Sequence, residues 1–314
     1  MKRKKKQETY SPVSTKSFWK RCVSQKELIS MVLPGVILVF IFSYIPMYGI
    51  LMAFQKYNPA VGIMGSEWVG LKYFKMFFEN PFAWRLIKNT LLLGLYYLFW
   101  SFPFPIILAL LLDQLPSQRF KKVVQTVSYF PYFISMVVVV GILKEFFSVD
   151  GVVNEIRVMF GASEIPFMTE SEYFRSLYIG SGVWQGIGWG SIIYLAALSN
   201  VDPQLHEAAL IDGANRWQRV RYISWPAIVP TTTIMLIFAV SGILGNDFQK
   251  ILLMYNESTY EVADVINTYV YREGIAGGRF EYTTAIGLMM NIVSFVLLFV
   301  TNKISRTVSE NSLW

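Results

Sequence analysis

Long apolar runs are the feature of this sequence that most limits what it can fold into. Six runs hold few charged side chains, at residues 28–54, 86–112, 123–147, 177–199, 227–244 and 284–301. About twenty apolar residues in a helix cross roughly 30 Å of hydrocarbon. The 314 residues are 54% hydrophobic and 16% charged, whereas an ordinary soluble domain is about a quarter charged. The sequence therefore predicts an all-α polytopic membrane protein with six transmembrane helices.

Lysine and arginine are concentrated in the segments that this topology places on one side of the membrane. The chain opens with MKRKKK, and further basic residues lie in the connections at 113–122 and 200–224. Because cytoplasmic loops carry an excess of Lys and Arg, we predict that both termini are cytoplasmic. The basic tail is interpreted as an orienting or lipid-contacting segment and not as a nucleic-acid site. The first run is long and lacks a small-residue cleavage site, which predicts a retained span and not a signal peptide.

The predicted spans divide the chain into four parts in a multi-pass protein of the cell membrane. These parts are a basic cytoplasmic tail (1–27), the first transmembrane helix with an outer loop (28–85), a five-helix core (86–302) and a cytoplasmic C-terminal tail (303–314). The core includes a cytoplasmic loop at 200–226 and an outer loop at 246–282.

The fourth apolar run contains a regular glycine pattern. Gly182, Gly186 and Gly190 recur at four-residue spacing and form a smooth stripe on which a neighbouring helix can pack closely. Three larger residues lie off this stripe: Trp184, Gln185 and Tyr194. Such residues face either a polar cavity or neighbouring protein and head groups, and the spacing leaves both interpretations open.

Ionisable residues are absent from the apolar runs except near their edges. A proton- or ion-driven transporter usually needs such a group at depth, and a channel needs a filter or a charged ring. The sequence also lacks a phosphate-binding loop of the Gly-x-x-x-x-Gly-Lys-Ser/Thr type. With a single Cys22 and a single His206, it offers no internal disulfide and no Cys/His metal cluster. We therefore expect a non-catalytic membrane subunit whose energy comes from another chain.

The segment at 200–230, NVDPQLHEAALIDGANRWQRVRYISWPAIVP, is polar although it lies between two apolar runs. Asp202 can cap a helix that begins at Pro203, and Gly213 can end that helix after about ten residues. A second helix is predicted to continue until Pro226 opens the fifth span. Such a helix pair suits docking into a groove on a partner, but its spacing equally fits a loop resting on lipid.

This segment resembles the signature of the permease subunits of ABC importers, which reads Glu-Ala-Ala, three residues, Gly, nine residues, Ile, one residue and Leu-Pro. Trp225 stands here where the family usually has Leu. The resemblance implies that the matching residues dock into a cleft on an ATPase subunit. They are Glu207, Ala208, Ala209, Asp212, Gly213, Ala214, Ile223 and Pro226.

The resemblance extends to LPGVILVFIFSYIPMYGILMAFQKYNP, NTLLLG and LLMYNESTYEVADVINTYVYREG, which are similar to the carbohydrate-importing branch of these permeases. It implies a type I ABC importer permease fold and a cargo of complex or polysaccharide-derived sugar. The implied partners are a second homologous permease, two ATPase subunits that carry ATP and magnesium, and an extracytoplasmic solute-binding protein. This chain itself is expected to bind no cofactor. The alternative is a stand-alone secondary transporter of a small polar solute.

The outer loop at 246–282 is rich in residues that can hold sugars. Its tyrosines are Tyr255, Tyr260, Tyr269, Tyr271 and Tyr282. Aromatic faces and amide groups suit sugar binding, although Tyr is also common at membrane surfaces. We predict a substrate path lined by Trp184, Gln185, Tyr194, Asn246 and Asn291.

Overall fold

A computed structural model describes residues 25–309 of the chain. The predicted basic tail at 1–27 therefore lies almost wholly outside the described residues, as does the end of the predicted tail at 303–314. The chain divides into two compact units, with the boundary between Leu51 and Met52.

The described part of the first unit is a single apolar helical rod. Helix α1 (Lys26–Val39) passes into a π-helical turn (Phe40–Tyr44), and a 3₁₀ helix (Ile45–Phe54) continues across the unit boundary. Its large apolar side chains are exposed, with Met31 at 79% and Phe42 at 73%. A helix that is hydrophobic all round and exposed along its length suits a lipid environment.

The second unit begins with a short antiparallel hairpin and continues as helices. Strands β1 (Gln55–Lys56) and β2 (Glu67–Trp68) pair with Gln55 opposite Trp68, and helix α2 (Gly62–Gly65) lies between them. The next helices are α3 (Lys72–Glu79), α4 (Ala83–Ser101), α5 (Pro103–Asp113), α6 (Gln118–Tyr129), α7 (Met136–Phe146) and α8 (Val152–Met159). The remaining helices are α9 (Ser171–Leu198), α10 (Pro203–Ile211), α11 (Arg216–Arg219), α12 (Trp225–Ser241), α13 (Phe248–Met254), α14 (Tyr260–Ala263), α15 (Ile266–Tyr271) and α16 (Phe280–Ser309).

Helix α9 lies at the centre of the second unit, where it contacts α4, α5, α6 and α12. One part of the core joins Ile106 of α5, Tyr194 of α9 and Ile228 of α12. A second part joins Leu93 of α4 to Ile251 of α13. Because so many helices share α9 as a neighbour, its surface determines how closely the unit can pack.

Glycines set the closest approaches of α9 to its neighbours. A Cβ added at Gly182 would lie 2.7 Å from the Tyr97 ring, and one at Gly190 would lie 3.0 Å from Pro105. Gly186, the middle member of the predicted stripe, has nothing within 4 Å. The tightest contact on this helix is at Gly188, where an added Cβ would overlap the Ser128 carbonyl of α6. Four-residue spacing identifies a smooth face, but it does not identify which glycine meets a backbone.

The described residues contain four helices that are long and apolar enough to cross a membrane: Lys26–Phe54, Ala83–Asp113, Arg216–Ser241 and Phe280–Thr307. The pair Gln118–Phe133 and Met136–Phe146 would make a fifth if it formed one span, although it is bent by 98°. Helix α9 has 28 residues, but its glycines, serines and Gln185 make it less apolar than these. The fold is thus mostly helical with four or five apolar spans, and the number six stays a prediction.

The bend between α6 and α7 is much larger than a proline kink. Pro131 lies in a 3₁₀ turn, Ile134 is extended, and the Ser135 hydroxyl accepts a hydrogen bond from the Val138 N–H at 3.4 Å. A proline removes a backbone donor, and a serine cap starts a new helix. Together they replace the single kinked span that the sequence predicts at 123–147 with two helices at a steep angle.

Replacing Gly188 with Ala should lower thermal stability, and replacing Gly186 with Ala should not. A Cβ at 188 forces α6 and α9 apart, whereas a Cβ at 186 meets open space. Overpacking costs about 1–3 kcal/mol, while Ala gains about 1 kcal/mol over Gly in a helix. The midpoint of thermal unfolding in detergent, followed by tryptophan fluorescence, measures the difference. Equal midpoints for the two variants would contradict the assigned contact.

Candidate functional site

Residues 202–226, called the signature segment below, form a helix, a turn and a second helix. The Asp202 carboxylate accepts a hydrogen bond from the Gln204 N–H at 2.9 Å, and Pro203 occupies the first helical position of α10. Proline lacks an N–H that would otherwise be unpaired there, and its φ already suits a helix. The predicted start of this helix is confirmed, and the helix ends at Ile211.

Gly213 makes the turn that ends α10. Its φ is +78°, a conformation that costs little only for glycine. The Gly213 N–H donates to Leu210 at 3.1 Å, and the Ala214 N–H donates to Ala209 at 2.8 Å. These two bonds form a Schellman motif, which satisfies carbonyls at the helix end. The Schellman motif therefore explains the fixed number of residues between Ala209 and Gly213 in the signature.

Asn215 starts the second helix through a reciprocal cap that the sequence reasoning missed. Its side chain accepts from the Gln218 N–H at 2.9 Å, and the Gln218 side chain accepts from the Asn215 N–H at 2.8 Å. An Asn with Gln three residues later is the recognisable signal of such a capping box. Gly213 thus ends the first helix of the turn, and the Asn215–Gln218 capping box starts the second.

Pro226 does not interrupt the second helix, which leads directly into the apolar helix that follows, as the sequence predicts. The helix runs without a break from Arg216 to Ser241, with a π-helical turn over Val220–Ser224. The Trp225 N–H donates five residues back, to Val220. Proline has no N–H for the regular ladder, and a π-helical turn absorbs that loss without ending the helix. The second helix of the signature segment is consequently continuous with the apolar helix that follows.

The signature segment presents a surface that the rest of residues 25–309 leaves uncovered. Glu207, Ala208, Asp212, Gly213 and Pro226 are exposed, while Ala209, Ala214 and Ile223 are half-buried. Large apolar side chains are exposed beside them: Leu205, Leu210, Ile211, Trp217 and Tyr222. An exposed apolar patch with a carboxylate at its edge is typical of a protein contact surface.

A side-chain hydrogen bond joins the end of the second helix of the signature segment to α5. Ser224 is fully buried, and its hydroxyl donates to the Asp113 carboxylate at 3.0 Å. Asp113 is the last residue of α5. This charge-assisted hydrogen bond fixes the start of α12 against the end of α5.

A cavity of about 470 Å³ lies among α4, α9, the end of α12 and the connection that follows it. Its polar lining residues are Tyr97, Ser101, Tyr132, Tyr178, Gln185, Asn246, Asp247 and Lys250. Glycines supply much of the remaining wall: Gly94, Gly182, Gly186, Gly242 and Gly245. A concave site with a few convergent polar groups is the usual form of a small-molecule site.

Two of the five predicted path residues lie at this cavity. Gln185 donates to the Ile134 carbonyl at 3.2 Å, and Asn246 donates to the Thr90 carbonyl at 3.0 Å. The other three are elsewhere. Trp184 is 46% exposed on α9, Tyr194 is buried in the core beside Ile106 and Ile228, and Asn291 is exposed on α16.

The sequence reasoning places Asp247 beside Asn246 near the end of the fifth apolar run, but it missed Lys250, which lies just beyond that run. The Asp247 carboxylate caps α13 by accepting from the Lys250 N–H at 3.1 Å. The Lys250 side chain folds inward, is 2% exposed, and donates to the Tyr178 carbonyl at 2.8 Å. Burial lowers the pKa of Lys250 to about 8, while the Asp247 charge acts in the opposite direction. The cap pattern Asn-Asp-Phe-Gln-Lys was the available signal for this short helix.

The connection at 246–282, which the sequence predicts to be an outer loop and which is called the outer connection below, is held by a buried carboxylate. Asp264 is fully buried and accepts two hydrogen bonds from Arg272, at 2.9 and 3.2 Å. Arg85 of α4 approaches the same carboxylate at 3.7 Å. Asn89 donates to the carbonyls of Glu261 and Asp264 at 2.8 and 3.1 Å. Two of the stretches that carry the family resemblance, NTLLLG and LLMYNESTYEVADVINTYVYREG, are therefore in contact.

Tyrosines of the outer connection serve mainly as packing residues. Tyr269 and Tyr282 are buried, and their hydroxyls lie 3.3 Å apart. Tyr255 and Tyr260 pack ring to ring with centroids 4.8 Å apart. Tyr269 and Tyr282 are thus core residues, while Tyr255 and Tyr260 are half-buried and pack on each other.

A family model described as binding-protein-dependent transport system inner membrane component matches residues 82–310. The fold and the signature segment thus define a permease subunit of a binding-protein-dependent importer. The chain belongs to this family, as its sequence resemblance predicts, and it is a multi-pass membrane protein.

Relatives match nearly the whole chain. The chain is 43% identical over 295 residues to the polygalacturonan/rhamnogalacturonan transport system permease protein YteP of Bacillus subtilis (strain 168), covering 94% of this chain and 92% of that protein. It is 40% identical over 290 residues to Protein LplB of the same organism, covering 92% and 91%.

Two solved structures share the fold, with sequence identities of 40% and 39%. A chain in the crystal structure of a bacterial ABC transporter involved in the import of the acidic polysaccharide alginate matches with a TM-score of 0.85 and 40% identity, covering 93% of this chain and 99% of that chain. A bacterial alginate ABC transporter in complex with an alginate pentasaccharide-bound periplasmic protein matches with a TM-score of 0.86 and 39% identity, covering 94% and 99%.

Replacing Asp264 with Asn should destabilise the protein by about 3 kcal/mol, the lower end of the range for a broken buried ion pair, since Arg272 is 35% exposed. The matched control is Glu273→Gln, because the Glu273–Arg279 pair has side chains 25% and 43% exposed. An exposed pair contributes about 1 kcal/mol or less. Thermal unfolding in detergent compares the two, and an equal loss in both variants would contradict the role given to Asp264.

Proposed function

We propose that this chain is a permease subunit of an ATP-driven oligosaccharide importer. The observation that carries the proposal is that the second helix of the signature segment continues without a break into the apolar helix, over Arg216–Ser241. A partner that grips an exposed helix can move a span only if the two form one body. The continuous helix and its hydrogen bond from Ser224 to Asp113 meet that condition.

The signature segment is proposed to dock into a cleft on a cytoplasmic ATPase subunit. Exposed apolar side chains such as Leu210 and Ile211 would enter the cleft, and Glu207 would meet a basic group at its rim. Ala208 has no long side chain and allows close approach. Two ATPase subunits would bind ATP and magnesium, so this chain would be non-catalytic and would bind no cofactor.

The translocation path is proposed to run between this chain and a second homologous permease in a heterodimer. The cavity that holds Gln185 and Asn246 would contribute one wall. Residues exposed on the spans, including Trp184 and Asn291, would face the second permease or the path. Closing the ATPase pair would then convert inward-facing to outward-facing permeases, which needs a differential of about 5 kcal/mol between states for a nearly complete shift.

A carbohydrate cargo is supported by the relatives, which are named for polygalacturonan, rhamnogalacturonan and alginate transport. An extracytoplasmic solute-binding protein would deliver the oligosaccharide, as the alginate transporter was crystallised with its periplasmic protein. The proposed topology has six spans in the cell membrane, with α9 as one of them and both termini in the cytoplasm. In that topology the outer connection meets the binding protein, and the signature segment meets the ATPase.

The alternative function is a stand-alone secondary transporter. The buried Lys250 favours it, because ion-driven transporters use ionisable groups at depth. However, a stand-alone transporter gives no reason for the signature segment, and the family model describes a binding-protein-dependent system. Dependence of uptake on ATP and on a binding protein separates the two functions.

Changing Glu207 to Arg together with Gly213 to Pro should abolish retention of the ATPase subunit during purification of the complex. The first change reverses an exposed charge, and the second removes the Gly213 N–H bond to Leu210 and the positive φ that the turn requires. Co-elution of the ATPase from an affinity-tagged permease measures the effect. Sugar-stimulated ATP hydrolysis should fall in parallel.

The control is Glu155→Arg with Gly161→Pro, on the connection between α7 and α9. Glu155 is exposed, and Gly161 also has a φ of +78° with nothing within 4 Å of an added Cβ. This double variant makes the same chemical changes outside the signature segment and should retain the ATPase. Retention of the ATPase by both double variants would rule out the docking role.

A further inference from the structure

The cavity contains a buried cation that lacks an ion-pair partner within the described part of the chain. Lys250 is 2% exposed, and the ion pairs found among residues 25–309 involve Arg85, Arg272 and Arg279. An ammonium carries three N–H donors, and the one hydrogen bond found for this group within the same range goes to the Tyr178 carbonyl. Burying a charge without a counter-ion costs free energy, and a ligand of opposite charge would offset that cost.

The neighbouring Asp247 carboxylate opposes the effect of burial through its charge, but within residues 25–309 it does not form an ion pair with the ammonium. Asp247 caps α13 by accepting from the Lys250 backbone N–H, and among the described residues no contact within ion-pair distance joins its oxygens to the ammonium. The Asp247 N–H in turn donates to the Tyr178 hydroxyl at 3.2 Å. Tyr178 thus holds both residues, and its ring centroid lies 5.0 Å from the ammonium. The cation is positioned by packing and stays available to a ligand.

The aromatic and amide lining of the same cavity is suited to a sugar ring. Tyr132 lines it and stacks on Trp189 with centroids 4.6 Å apart and planes within 3°. Aromatic faces pack against sugar C–H groups, while the amides of Gln185 and Asn246 border the same space. Among the glycines of the wall, Gly186 has nothing within 4 Å of an added Cβ and leaves room for a sugar to approach the backbone. Stacking groups and one cation together match a sugar that carries a negative charge.

We infer that Lys250 binds a carboxylate of an acidic oligosaccharide as it passes through the permease, and so determines selectivity for charged over neutral sugar. This inference rests on the proposed function. A carboxylate would supply the missing counter-ion and accept charge-assisted hydrogen bonds from the two remaining N–H groups. Hydroxyl groups of a neutral sugar would hydrogen-bond to the ammonium but would leave its charge unpaired.

The charge of Lys250 makes the inference sensitive to pH. Burial lowers its pKa to about 8, so the ammonium is charged at pH 7 and loses its proton as the pH rises through about 8. The titratable groups that share the cavity are Asp247, Tyr97, Tyr132 and Tyr178. Helices α7 and α15 also pack against α13, and none of their charged residues lines the cavity. Carboxylates of the sugar remain ionised throughout this range.

The test uses the complete transporter in proteoliposomes, with its second permease, ATPase subunits and binding protein. The probes are trigalacturonate, trimannuronate and the neutral maltotriose. The variants are Lys250→Gln, which removes the charge, and Lys250→Arg, which keeps it. Lys72→Gln serves as the control because Lys72 is an exposed lysine on α3. Uptake is measured as kcat/KM over a pH series that extends on both sides of the Lys250 pKa of about 8.

We expect ATP-dependent import of an acidic probe by the unmodified transporter. Lys250→Gln should lower its kcat/KM about tenfold or more, the loss of one charge-assisted contact, and Lys72→Gln should not change it. Import by the unmodified protein should fall above the Lys250 pKa of about 8, whereas Lys250→Arg should retain import there. A merely structural lysine would not produce this difference between the two pH profiles.

Other results would overturn the inference. Three outcomes would each contradict a carboxylate-binding role and leave the importer assignment intact: import of maltotriose alone, unchanged import of acidic probes by Lys250→Gln, or identical pH profiles for the unmodified and Lys250→Arg proteins. Absence of ATP-dependent import for all three probes would count against the proposed function as well.

Discussion

Close contact between helix backbones is the constraint on which the rest of the second unit depends. At Gly188 of α9, the α6 backbone occupies the space that a Cβ would fill. At Gly94 of α4, the Ile243 carbonyl occupies the corresponding space. In a bilayer, such packing contacts are a main source of helix association, since lipid is as apolar as the side chains. The two contacts bring α4, α6 and α9 together around the end of α12, and the cavity lies where these elements meet.

Helix α12 is therefore held at both ends, and this links the signature segment to the cavity. Near its start, Ser224 is hydrogen-bonded to Asp113 of α5, and just beyond its end, Ile243 is in contact with Gly94. Ala239 and Gly242 line the cavity, on or beside the same helix. In the proposed importer, a displacement of the docked segment would thus reach the cavity wall through one continuous helix, without a separate transmitting element.

The sequence was sufficient for those features that depend on local chemistry. Apolar length predicts the four helices that are long and apolar enough to cross a membrane. Asp202, Pro203 and Gly213 predict the helix and turn of the signature segment, because caps and positive φ are set by a few neighbouring residues. Features that depend on tertiary contacts could not be predicted in the same way. Gly188 is indistinguishable from Gly186 in the sequence until the position of Ser128 is known.

Lys250 illustrates the same limit in the functional site. A search for ionisable groups inside apolar runs excludes it, because it follows the run by a few residues and returns to the cavity only through the fold of α13. A permease whose energy comes from partner subunits needs no titratable group for coupling. In the proposed importer, the cation buried at the cavity is therefore explained by the cargo and not by energy coupling. In the proposed importer, the ATPase subunits supply the energy and the permease contacts the cargo. This difference in role accounts both for the lack of charged residues deep in the apolar runs and for the buried lysine at the cavity.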